Sequence, residues 1–153
     1  LTDNKIYVFD IAANPGKPKL VKTIADLGDK TGYLGPHTFY AMPGRMLIQT
    51  LSNTKDKGGV TGMALYNNKG EFISSYAMPK DMGGDGYGYD IAINPQKNAL
   101  LTSSFTGSQN YIRPLGELIK DELAMKNFGN TMVMWDLKAM KPQKVFAVPG
   151  APL

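Results

Sequence analysis

Cysteine is absent from the 153 residues, and histidine occurs once, as His37. Without thiols the chain has no disulfide, no thiolate metal site and no cysteine nucleophile, and redox chemistry leaves no trace of compartment. One imidazole excludes a two-histidine metal motif or a catalytic histidine pair within these residues. No apolar stretch approaches the roughly 20 residues that a membrane helix needs. No run of five like charges marks a nucleic-acid stripe or a basic membrane patch, so neither partner is expected. Seventeen Lys and Arg against thirteen Asp and Glu leave a net charge of +4, a mild excess. The opening Leu1-Thr2-Asp3-Asn4-Lys5 lacks a signal-peptide pattern and runs directly into a strand. The expectation is an interior portion of a longer chain.

Hydrophobic residues make up 42% and charged residues 20%, an ordinary globular composition. Seventeen glycines and ten prolines punctuate the chain at short intervals, which favours many short strands over long helices. Apolar, β-branched or aromatic runs supply the strands: Ile6–Phe9, Met46–Ile48, Met63–Tyr66, Phe72-Ile73, Ile91–Ile93, Ala99–Thr102 and Met132–Trp135. Several are continuous rather than alternating, the pattern of strands covered on both faces. Sheets stacked on sheets meet that need.

Laid over one another, these segments repeat. Tyr7-Val8-Phe9-Asp10, Ala64-Leu65-Tyr66-Asn67 and Val133-Met134-Trp135-Asp136 each end in Asp or Asn, turn, and continue into a second strand. Such side chains suit that edge because they bond the backbone amides of the turn. A second hairpin type alternates with the first, around Pro43-Gly44-Arg45 and around Asn94-Pro95-Gln96-Lys97-Asn98. The expected fold is therefore all-β: a β-propeller segment of about two and a half four-stranded blades. Its parts are a half blade at 5–24, a blade at 37–78 and a blade at 87–148. A β-sandwich with accidental hairpin similarity is the alternative. The second blade is lengthened by Thr106 to Gly129, in which Pro114 to Lys126 reads as one short helix. Leu115, Leu118, Ile119 and Leu123 give that helix an apolar side, expected to pack on one face of the propeller.

Gly35-Pro36-His37-Thr38, followed by Met46-Leu47-Ile48 and Leu51-Ser52-Asn53, resembles the selenium-binding protein (methanethiol oxidase) family. Gly88-Tyr89-Asp90-Ile91 with Pro95, Asn98 and Ser103-Ser104 is similar to the same family, as is Phe128 to Leu137. The resemblance runs in order from Lys5 to the closing Pro149 to Leu153. It implies a seven-bladed propeller. For bacterial members it implies copper-dependent oxidation of methanethiol to formaldehyde, hydrogen sulfide and hydrogen peroxide in the periplasm. His37 and Thr38 match a His-Thr pair that the family pattern follows with a second His and a Cys. Phe39, Tyr40 and Ala41 occupy that stretch here, so the Cys associated with selenium binding has no counterpart.

The resemblance makes His37 the expected metal ligand, in a loop at the channel mouth, with copper as the cofactor and a small thiol as the substrate. An imidazole suits copper. A histidine hydrogen-bonded in a turn after Pro36 is the structural alternative. Thr38, Tyr89 and Asp90 are the candidates for lining the substrate channel, although Asp90 can equally cap a turn. No residue is assigned as catalytic. Asp81 to Asp90 is acidic and glycine-rich, but no helix opens after it, so it reads as a mobile surface loop rather than a phosphate cradle. The nine methionines lie mostly in strands and read as core filling. Beyond the thiol, the partners implied are the remaining blades of the same ring. A competing function is a non-catalytic propeller scaffold that binds a protein.

Overall fold

The computed structural model describes residues 3–149; Leu1-Thr2 and Gly150 to Leu153 lie outside them. Among the described residues, ten strands form three antiparallel sheets. Strands β1 (Ile6–Asp10) and β2 (Lys19–Ile24) pair as a two-stranded sheet. Strands β3 (Tyr33–Met42), β4 (Arg45–Asn53), β5 (Gly62–Asn67) and β6 (Phe72–Ala77) follow one another across the second sheet. Strands β7 (Ile91–Asn94), β8 (Ala99–Ser103), β9 (Thr131–Asp136) and β10 (Lys141–Ala147) do the same in the third. Each sheet is a simple up-and-down meander, and the chain is a partial β-propeller.

The middle sheet is covered on both faces. Leu47, Met63 and Leu65 pack with Leu100, Val133 and Trp135 of the third sheet in one core. Ile48, Ala64 and Tyr66, the intervening residues, pack with Ile6 and Ile24 of the first sheet and with Leu27 in another. Each buried Leu, Ile, Val or Met among them contributes on the order of 1.5–3 kcal/mol. Two-faced burial explains why Met63-Ala64-Leu65-Tyr66 is continuously apolar. The third sheet covers the middle sheet with one face only, and β9 accordingly alternates buried and half-buried residues.

The turns follow side-chain chemistry. The Asp10, Asn67 and Asp136 carboxylate or amide oxygens accept from the backbone N–H of Ala12, Lys69 and Ala139, at 2.8, 2.9 and 2.8 Å. In the second hairpin type, Asn94 accepts from the Lys97 N–H at 3.1 Å, and Asn98 takes a left-handed backbone (φ 52°).

Two elements differ from expectation. The single helix at Pro114 to Lys126 is divided into α3 (Leu115–Leu118) and α4 (Glu122–Met125). Asp121 divides it: its side chain caps α4 by accepting from the Ala124 N–H at 2.9 Å and pairs with Arg113 at 2.9 Å, which requires a non-helical backbone there. The apolar side does not pack as expected either. Leu118 is 6% exposed, whereas Leu115, Ile119 and Leu123 are 68%, 56% and 73% exposed. Two short helices appear that composition did not signal, α1 (Leu27–Thr31) and α2 (Ser108–Tyr111).

Candidate functional site

Strand β3 is distorted where it carries the only histidine. Gly35 adopts φ +67°, and its space is closed by the Tyr111 hydroxyl and Leu51. Pairing with β4 then slips between Pro36, opposite Thr50, and Thr38, opposite Gln49. His37 is the extra residue of this β-bulge, a device that re-aims one side chain. The expected loop at the channel mouth is therefore a bulged strand. The loop reading failed because Gly-Pro normally marks a turn, whereas here the ladder continues on both sides of it.

The bulge turns the half-buried His37 toward the Gly88–Asp90 segment that leads into β7 of the next sheet. His37 Nδ1 lies 3.0 Å from the Tyr89 carbonyl oxygen and 3.1 Å from Thr38 Oγ1. Thr38 Oγ1 donates to the same carbonyl at 3.2 Å. A carbonyl only accepts, so a contact of 3.0 Å requires the proton on Nδ1. In the neutral ring that assignment leaves the lone pair on Nε2, the arrangement found in ligating imidazoles. The Tyr89 ring stacks on the imidazole, with centroids 4.5 Å apart and planes at 30°.

Three of the four singled-out residues thus meet: His37, Thr38 and Tyr89. Asp90 is adjacent in sequence, but its carboxylate is used locally, accepting from the Ile91 N–H at 2.7 Å to start β7. The Asp81–Asp90 stretch is better anchored than a mobile loop. Asp85 Oδ2 accepts from the Thr131 N–H and hydroxyl at 3.1 and 2.7 Å, and the Gly86 carbonyl accepts from the Thr61 N–H at 3.0 Å.

Composition did not reveal the aromatic wall behind the histidine. Tyr89 packs on Phe105 at 4.8 Å, and Phe105 meets Phe128 edge-on at 5.5 Å and Tyr111 at 6.3 Å. Phe105 and Phe128 bracket the helical insertion, whose base is closed by the Gly129 N–H donating to the Phe105 carbonyl. Their placement at both ends of one insertion was the available signal. Burial raises the Tyr111 phenol above its ordinary range.

An imidazole held through Nδ1 is a suitable donor for copper. Among the described residues, no three His, Cys, Asp or Glu side chains stand close enough to hold a metal together. No described helix is long and apolar enough to cross a membrane.

Comparison with known proteins places these features. The family described as 56kDa selenium binding protein (SBP56) matches residues 1–150. A methanethiol oxidase of Hyphomicrobium sp is 64% identical over 153 residues, all of this chain and 35% of that protein. A methanethiol oxidase of Ruegeria pomeroyi is 50% identical over 165 aligned residues, again all of this chain and 38% of that protein. The chain thus spans little more than a third of the curated relatives it matches. The crystal structure of a hypothetical selenium-binding protein from Sulfolobus tokodaii superposes with a TM-score of 0.78 at 24% identity, covering 94% of this chain and 30% of that one. At that identity the likeness concerns the fold. With a matching family, close relatives and three blade-like sheets in order, the chain belongs to the 56 kDa selenium-binding protein family.

Proposed function

We propose that this chain supplies two and a half blades and one metal ligand to a copper-dependent methanethiol oxidase. The observation that carries the reading is the hydrogen bond from His37 Nδ1 to the Tyr89 carbonyl at 3.0 Å, which presents Nε2 as a donor. The names of the relatives that match the whole chain support the substrate. The overall change balances as methanethiol, O₂ and water going to formaldehyde, hydrogen sulfide and hydrogen peroxide. When bound, copper would supply Lewis acidity toward the thiol and a path for electrons to O₂.

This chain's residues hold and orient. Tyr89 fixes the imidazole through its carbonyl and covers one ring face, while Thr38 adds a second donor to that carbonyl. The Tyr89–Phe105 surface is apolar and aromatic, suited to a methyl group and to sulfur–aromatic contact. The remaining ligands would come from other blades of the ring, since Phe39, Tyr40 and Ala41 offer no second imidazole or thiolate. A periplasmic location belongs to the same proposal.

The test is His37→Ala in the complete propeller, assayed for bound copper, methanethiol consumption and thermal midpoint. The expected result is loss of copper and turnover together, with the midpoint of the metal-free protein unchanged. Unchanged copper content with a lowered midpoint would make His37 structural. It would favour the second reading, a scaffold whose exposed Leu115, Ile119 and Leu123 meet a protein partner.

A further inference from the structure

Gln49 occupies β4 opposite Thr38, and it is fully buried. Its side-chain Nε2 donates to the Thr50 carbonyl at 3.1 Å and to the Gly62 carbonyl at 3.0 Å. Gln49 Oε1 is the one buried side-chain nitrogen or oxygen among the described residues that has no hydrogen-bond partner. Flipping the amide would aim that oxygen at two carbonyls, so the orientation is determined. A buried orphan acceptor is costly, and it requires an explanation in a native fold.

The amide lies against Gly88. A Cβ there would come within 2.7 Å of Gln49 Cδ and 3.1 Å of the Thr50 carbonyl oxygen. Real Cβ atoms do not approach below 3.0 Å, and the amide could give way only by breaking its hydrogen bonds to the Thr50 and Gly62 carbonyls. Gly88 does not have the left-handed backbone of Gly35, Gly83 or Gly86. Space, and not φ, is what calls for glycine here. On the far side of the same peptide, the Tyr89 N–H donates to the Ser103 carbonyl at 2.8 Å. The segment that offers its carbonyl to His37 is clamped between Gln49 and β8.

We propose that Gln49 and Gly88 are positioning residues for His37. The close fit of Gly88 on the Gln49 amide brings the Tyr89 carbonyl to Nδ1, which in the neutral ring holds the proton on Nδ1 and leaves the lone pair on Nε2. This rests on the reading of His37 as a metal ligand, but its effect on the imidazole is present without metal. Enlarging Gly88 displaces the carbonyl, releases the tautomer and weakens any metal bound through Nε2. Removing the Gln49 side chain as well relieves the clash with the amide and leaves only the 3.1 Å approach to the Thr50 carbonyl, which a shift of a few tenths of an ångström accommodates.

The experiment uses the complete propeller, metal-free, with ¹⁵N-labelled histidine and the His37 signals assigned by their loss in His37→Asn. Native protein should show His37 in the Nδ1–H form. Gly88→Ala should populate the Nε2–H form, and the double variant Gly88→Ala/Gln49→Ala should return to Nδ1–H. Copper titration should show a loss of about 10- to 100-fold in affinity for Gly88→Ala, with recovery in the double variant. Thermal midpoints of both variants control for folding. An undisturbed Nδ1–H form in Gly88→Ala would overturn the proposal, as would a tautomer change that the second substitution does not reverse. The expected tautomer pattern with copper affinity indifferent to His37 would support the positioning while overturning the ligand reading.

Discussion

Trp135, the only tryptophan, is 1% exposed at the centre of the core between the second and third sheets. Its indole N–H donates to Thr102 Oγ1 at 3.0 Å, one strand away on β8. A buried donor that loses its acceptor keeps the desolvation penalty, about 1–3 kcal/mol. Thr102→Val preserves shape and removes the acceptor, so it should destabilise by that amount, read from the denaturant midpoint of Trp135 fluorescence. An unchanged midpoint would mean that the indole finds another partner. Tyr66 makes a different prediction. It is fully buried, and its hydroxyl donates to Asp26 at 3.2 Å. Burial, and secondarily the Asp26 charge, pushes its phenol well above 10.0. The fold favours the neutral form, so this contribution is intact below about pH 10, where the unfolded phenol titrates, and falls as pH rises further. Stability should therefore decline above about pH 10. Tyr66→Phe should flatten that decline, and an identical slope in the variant would assign it to other groups.

The elements show which local signals survive folding. Asp10, Asn67 and Asp136 could be read as turn caps because a short polar side chain acts on amides two or three residues away. The insertion was harder. Leu115, Leu118, Ile119 and Leu123 have helical spacing, yet Asp121 ends one turn and caps the next. Periodicity assigned four residues to one buried face, and the structure buries only Leu118. Leu118→Ala should therefore cost about 2–5 kcal/mol, while Leu115→Ser should stay within about 0.5 kcal/mol. Thermal midpoints of the two variants measure the difference. Equal losses would mean that Leu115 is covered in the assembled ring.

Across the whole molecule, the stack of sheets ends in two uncovered faces. Tyr7, Phe9 and Leu20 are 47%, 51% and 49% exposed on the first sheet, and Phe146 is 37% exposed on the third. Faces of this kind pack against neighbouring blades when a ring closes. The 153-residue chain expressed alone should therefore self-associate, with apparent mass in light scattering rising with concentration. A monomer with one cooperative transition would show that the exposed faces need no covering.

The β class, the blade-like repeat and the capped turns were legible in the sequence, because each depends on neighbours a few residues away. The continuous apolar run at Met63–Tyr66 announced two-sided burial for the same reason, since alternation cannot survive when both faces are covered. Residue type and resemblance singled out His37, Thr38 and Tyr89, but not their mutual arrangement. The ring tautomer depends on a carbonyl 52 positions away, which only the packing of one sheet on the next brings to Nδ1. Gln49 and Gly88, 39 positions apart, carry no local sign of contact at all. Their fit depends on sheet-to-sheet spacing and on the bulge at His37, and the tertiary structure alone decides both.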